Sequence, residues 1–106
     1  MGSIEISGHS VQLNEEGFLQ NPGEWNRDVA AELARTQEGL DAMTDEHWSV
    51  VNYIRDYYLE HNLAPMVRKI CMTTGLKLTR IFELFPSGPA KGACKVAGLP
   101  KPDGCV

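Results

Sequence analysis

A chain of 106 residues has room for a single domain with a modest core, and its hydrophobic share of 42% contains no apolar run long enough to cross a membrane. Its three cysteines are an odd number and no secretory apolar segment accompanies them, which argues against a secreted disulfide framework and for a reducing cytoplasm. The net charge of −4 is unevenly spread: residues 1–63 carry three bases against twelve acids, and residues 64–106 carry seven bases against two acids.

The chain opens with two alternating segments, Ser3 to Ile6 and Ser10 to Leu13, around Ser7-Gly8-His9. This pattern predicts a β-hairpin over about residues 3–13, with its apolar side laid on helices, since an isolated hairpin is marginal. Phe18 and Leu19 are expected core anchors, and Asn21-Pro22-Gly23 is a turn. Trp25, Val29 and Leu33 recur at helical spacing and predict a first helix from Trp25 to about Thr36. Gln37 to Asp41 is then a loop through Gly39.

Thr44 is a good N-cap, followed by Asp45 and Glu46 where the helix dipole favours acids. The second helix is expected to run to Glu60 or His61. Its apolar stripe takes Trp48, Val51, Ile54 or Arg55, and Tyr58. His47 and His61 sit at its two ends, too far apart for one local metal site, and no Cys or His pair has a zinc-like interval. Pro65 suits the first position of a third helix, with Met66, Val67, Ile70 and Cys71 facing inward and Gly75 ending it. Cys71 reads as a buried structural cysteine. A fourth helix from Lys77 to Phe85 would bury Leu78, Ile81, Phe82 and Phe85 before Pro86 stops it. Helices three and four resemble a helix-turn-helix pair, but the overall acidity argues against DNA binding.

Pro89 can begin a last short helix reaching Ala97 and ended by Gly98. It carries Cys94, with Lys91 and Lys95 within a turn. Beyond it, Leu99, Pro100, Lys101, Pro102 and Gly104 lead to Cys105 and Val106. Gly and Pro at this density exclude a helix or a central strand and predict an extended arm. Residues 99–106 could span about 25 Å when extended, suited to entering a deep cleft on another protein. Folding back would require the Cα atoms of Cys94 and Cys105 to approach to roughly 4.4–6.8 Å, which ten intervening residues permit. Spacing alone leaves open both a working thiol pair and an incidental cysteine on a tail.

The run Leu84-Phe-Pro-Ser-Gly-Pro-Ala-Lys-Gly-Ala-Cys94, then Ala97-Gly-Leu-Pro-Lys-Pro102 and Gly104-Cys105-Val106, resembles the DsrC/TusE family. The likeness continues upstream through Glu46-His47-Trp48, Ile54-Arg55-Asp56-Tyr57-Tyr58 and Ala64-Pro65-Met66-Val67-Arg68. It covers nearly the whole chain. TusE-like members, which relay sulfur for tRNA thiolation, keep only the penultimate cysteine. Members with both cysteines at this spacing are similar to DsrC, the gamma subunit of dissimilatory sulfite reductase.

The resemblance implies a mainly α fold, an orthogonal helical bundle with an N-terminal hairpin and a flexible C-terminal arm. Residues 1–98 would form the domain and residues 99–106 the redox arm. It also implies a sulfur carrier rather than a free-standing enzyme, with Cys105 as carrier and Cys94 as resolving thiol. The expected partners are the catalytic alpha and beta subunits of the reductase, and a membrane-bound complex like heterodisulfide reductase. Sulfur-relay proteins join them in sulfur oxidisers. Sirohaem and iron–sulfur clusters belong to the partner reductase in this family, and no cofactor or metal is expected on this chain. A relay for tRNA thiolation is the main rival, against which Cys94 argues.

Overall fold

The computed structural model describes residues 2–6 and 8–99. Strands β1 (Gly2–Ile6) and β2 (His9–Leu13) pair antiparallel, with Ile4 opposite Val11 and Gly2 opposite Leu13. Five helices follow: α1 (Arg27–Glu38), α2 (Asp45–His61), α3 (Val67–Thr74), α4 (Leu78–Leu84) and α5 (Cys94–Val96). A 3-10 turn at Pro22–Glu24 precedes α1, and a π-helical turn at Pro89–Ala93 runs directly into α5. The fold is thus mainly helical with an N-terminal hairpin, as the sequence predicts.

The hairpin packs as expected. Alternation places Ile4, Val11 and Leu13 on one face, where they bury against Leu19, Val29 and Leu33. Phe18 is buried too, at 1% exposure. A second, larger cluster joins Ala30 and Ala34 of α1 to Val50, Val51 and Ile54 of α2, with Ile70, Ile81, Phe85 and the α5 region closing it. Trp25 packs against both clusters.

Local chemistry shifts some boundaries. The first helix starts at Arg27, because the Asn26 side chain accepts the Val29 N–H at 2.9 Å and holds Asn26 extended as N-cap. Trp25 therefore lies outside the helix, and its helical spacing with Val29 and Leu33 is fortuitous. At the other end α1 continues to Glu38, beyond the expected Thr36. In the third helix Met66 is the N-cap, so Pro65 precedes the cap instead of occupying the first turn. Met66 is 57% exposed, and Ile70 is the fully buried residue of α3. On α4 Ile81, Leu84 and the following Phe85 are buried, whereas Leu78 and Phe82 are about half exposed. A seven-residue helix presents too few turns for periodicity to fix its inward face. Arg80 of α4 bonds Glu46 of α2 and Glu83 of its own helix, which holds the Glu46 carboxyl below its ordinary range.

The second helix has the predicted start and end. Thr44 caps it, and His47 takes the place in the capping box usually held by Glu or Gln. The Thr44 backbone N–H donates to His47 Nδ1 at 3.0 Å, so Nδ1 is the acceptor. Nε2 then carries the proton and donates to the Leu84 carbonyl at 2.9 Å. His47 thus joins the start of α2 to the end of α4, edge-on to Phe85 at 5.2 Å. Removing the ring's bonds to Thr44 N, Thr44 Oγ1 and Leu84 O from a residue only 7% exposed, as in His47→Ala, should cost about 2 kcal/mol in urea unfolding. His47→Gln, which restores the cap acceptor, should recover about half of that.

Candidate functional site

Cys94 opens α5 immediately after the π-helical turn and is 2% exposed. A π-turn set into a helix is frequent at functional positions. Its N-terminal side is braced by Glu38, the last residue of α1. Glu38 Oε1 accepts the Ser87 N–H at 3.0 Å. The same oxygen would stand 2.6 Å from a Cβ on Gly92, so only glycine lets the turn approach this closely. Glu38 is 9% exposed, and its Oε2 has no hydrogen-bond partner among the described residues.

The C-terminal side is closed more completely. Gly98 adopts φ 77° and supplies the left-handed residue of a Schellman turn. Its N–H donates to the Lys95 carbonyl at 3.0 Å, and the Leu99 N–H donates to the Cys94 carbonyl at 3.1 Å. The remaining carbonyls are taken by side chains from elsewhere. Trp25 Nε1 donates to Val96 O at 2.9 Å. Arg55 Nη1 of α2 is shared between Ala97 O and Gly98 O, at 3.4 Å each. The guanidinium lies 4.9 Å from the centre of the Trp25 ring, a cation–π stack. Every carbonyl from Cys94 to Gly98 is therefore engaged, where a helix end normally leaves its last carbonyls to water.

Arg55 is 8% exposed. Burial pushes its pKa down from the ordinary value, with Tyr58 acting in the opposite direction. It remains a cation, and a cation is favourably placed against the carbonyl end of a helix. The carboxylate of Glu38 near the first turn and the guanidinium of Arg55 beyond the last match the two poles of the segment that carries Cys94.

Leu99 is 1% exposed and belongs to the main core. It was expected to be the first residue of the arm. Instead the Schellman turn and the apolar pocket bind it to the body. Pro100, Lys101, Pro102, Gly104 and Cys105 lie outside the described residues. Cys71 is half-buried on α3. Lys95 turns its Nζ over the Phe18 ring at 5.0 Å, and Lys91 is exposed. Reading the sequence missed Trp25, Arg55 and Glu38 as parts of this site. For Arg55 a signal existed: an arginine on an apolar stripe must find acceptors inside the protein.

The geometry defines a small helical body that presents a helix-held cysteine, its helix end closed by side chains of other elements. The family follows from comparison. The family described as "DsrC like protein" matches residues 5–106, and the chain belongs to it. It is 42% identical over 106 residues, all of both chains, to the gamma subunit of dissimilatory-type sulfite reductase from Nitratidesulfovibrio vulgaris Hildenborough. It is 38% identical over 108 residues to the sulfurtransferase TusE of Escherichia coli O6:H1, covering 95% of this chain and 97% of that one. The oxidised gamma subunit (DsrC) from Archaeoglobus fulgidus superposes with a TM-score of 0.89 at 41% identity, covering 99% of this chain and all of that one.

The packing of Gly98 gives a direct test. A Cβ there would fall 2.3 Å from Trp25 Cδ1, whereas Gly75, with the same φ of 77°, has nothing within 4 Å. Gly75→Ala should cost about 1 kcal/mol of left-handed strain. Gly98→Ala should cost clearly more in urea unfolding, because the Trp25 ring must also move. Equal losses would show that Trp25 does not press on the turn.

Proposed function

We propose that the chain is a sulfur carrier that serves dissimilatory sulfite reductase as its gamma subunit, with Cys105 as the loading thiol and Cys94 as the resolving thiol. The observation that carries this reading is Cys94 itself. It sits on a segment braced at both ends, eleven positions before a second cysteine that follows Pro100 and Pro102. The full-length similarity to a protein named as the reductase gamma subunit supports the same role. A thiol only 2% exposed is screened from outside oxidants, so a tethered thiol has the advantage in reaching it.

The exchange balances without a cofactor on this chain. If Cys105 carries a persulfide, the Cys94 thiolate attacks the Cys105 sulfur and expels hydrosulfide, leaving a Cys94–Cys105 disulfide. If sulfur arrives from sulfite at the reductase, one sulfite, both thiols, two electrons from the reductase and four protons give a trisulfide and three waters. Both products return to the dithiol state by reduction, the task of the membrane-bound heterodisulfide-reductase-like complex. Sirohaem and iron–sulfur clusters belong to the partner in this scheme, and the working compartment is the reducing cytoplasm. TusE-like relay for tRNA thiolation would use Cys105 alone.

Intact mass spectrometry tests the reading. The reduced protein is incubated with sulfite, reductase and an electron donor. Wild type should gain about 32 Da less two hydrogens, one sulfur bridging two thiols. Cys94→Ala should carry the sulfur as a persulfide, and Cys105→Ala should stay unmodified. A chain that gains no sulfur, or gains it equally in Cys105→Ala, contradicts the proposal.

A further inference from the structure

Cys94 is 2% exposed, yet exchange requires another sulfur to reach it. Part of the segment that carries it must therefore open. On the C-terminal side the carbonyls from Cys94 to Gly98 are all engaged, with Trp25 and Arg55 among the donors. The N-terminal side is built differently. Pro89 brings no N–H to the π-turn, and the Cys94 N–H reaches back across the turn to the Pro89 carbonyl. Two residues before Pro89, the Ser87 N–H is held by Glu38 Oε1 at 3.0 Å. The same carboxyl packs against Gly92, where a Cβ would stand 2.6 Å from Oε1 and 3.0 Å from Phe85 Cβ. Glu38 Oε2 has no hydrogen-bond partner among the described residues, so the grip of this carboxyl on the turn is one hydrogen bond deep. Glu38 is also the last residue of α1, the end at which the helix dipole disfavours an acid. Its placement serves the π-turn and not its own helix.

We infer that Glu38 is a positioning residue for Cys94: by holding Ser87 and packing on Gly92 it keeps the π-turn wound and the thiol at its low exposure, and the thiol becomes reachable when this contact opens. The inference takes its purpose from the carrier reading, in which a resolving thiol is closed at rest and open in exchange. Glu38 acts through the backbone of the turn and is not a catalytic residue.

The test uses full-length chains carrying Cys71→Ser and Cys105→Ser, so that Cys94 is the single thiol. The probe is an aromatic disulfide reagent in excess: the Cys94 thiolate attacks one of its sulfurs, a mixed disulfide forms and a coloured aromatic thiolate leaves. Rates are followed at fixed pH through a urea series below the unfolding transition. A local opening gives a rate independent of urea, and global unfolding gives one that climbs with it. Wild type should show the flat regime, below the rate of the unfolded chain. Glu38→Ala should raise the flat rate about tenfold or more, the loss of one hydrogen bond from a buried carboxyl. Glu38→Gln keeps an oxygen for the Ser87 N–H and should stay within about threefold of wild type. Gly92→Ala, which drives a Cβ into the carboxyl, should raise the rate as well and serves if Glu38→Ala does not fold. Gly75→Ala, whose added Cβ meets nothing within 4 Å, lowers stability elsewhere and should leave the flat rate unchanged. A Glu38→Ala rate no faster than that of Gly75→Ala, a Glu38→Gln rate equal to that of Glu38→Ala, or a wild-type rate that climbs with urea throughout overturns the inference. None of these results touches the carrier reading, which stands or falls on sulfur loading in the mass experiment.

Discussion

Five consecutive peptide carbonyls, Cys94 to Gly98, are all hydrogen-bonded, and the placing of Cys94 depends on this. A helix as short as α5 has no stability of its own, because nucleation costs more than one turn returns. Its geometry is borrowed from the body. Trp25 and Arg55 lie thirty positions apart in the sequence and meet over the turn at Gly98. The indole also joins the hairpin cluster to the main cluster, so it couples the N-terminal layer to the turn at Gly98. The left-handed φ of Gly98 and its missing Cβ are both required, since the ring occupies the space a side chain would take.

The other end of the same segment is fixed by a charge of opposite sign. Glu38 holds the Ser87 N–H and packs on Gly92 and the π-turn. Burying a carboxylate with one oxygen unpartnered among the described residues costs free energy, offset here by the Ser87 bond and by the partial positive charge of a helix start. Two buried ions on α1 and α2 thus grip the ends of one short helical stretch. Such groups specify a position more than they add stability. A thiol in a fixed place suits the resolving role proposed for Cys94, and burial keeps outside oxidants away from it.

Much of this was legible in the sequence, and the exceptions have physical causes. The hairpin and α2 could be read because alternation and the Thr44 cap are strong local signals. Gly98 as helix stop and Pro89 as helix start also follow from single-residue stereochemistry. Trp25 lies outside α1 although three apolar residues at spacing four mimic a helix face, and only the Asn26 cap shows that the helix begins after it. Periodicity points Met66, Leu78 and Phe82 inward although they are exposed, because short helices give it too few turns to decide. The Gly and Pro around Leu99 suggest an arm residue, yet its side chain completes the core. The roles of Glu38 and Arg55 are long-range, spanning 49 and 42 positions to Ser87 and Ala97, and no local pattern encodes such pairings.

The most direct measurement is amide hydrogen exchange at Gly98 and Leu99 in the reduced wild-type protein. Their N–H groups donate to Lys95 O and Cys94 O in a turn held by Trp25 and Arg55, so both should exchange slowly, with protection approaching that of the buried amides of α2. Exchange at both positions near the rate of an unstructured peptide would contradict the account, because Cys94 would then sit on a loose end instead of a fixed one.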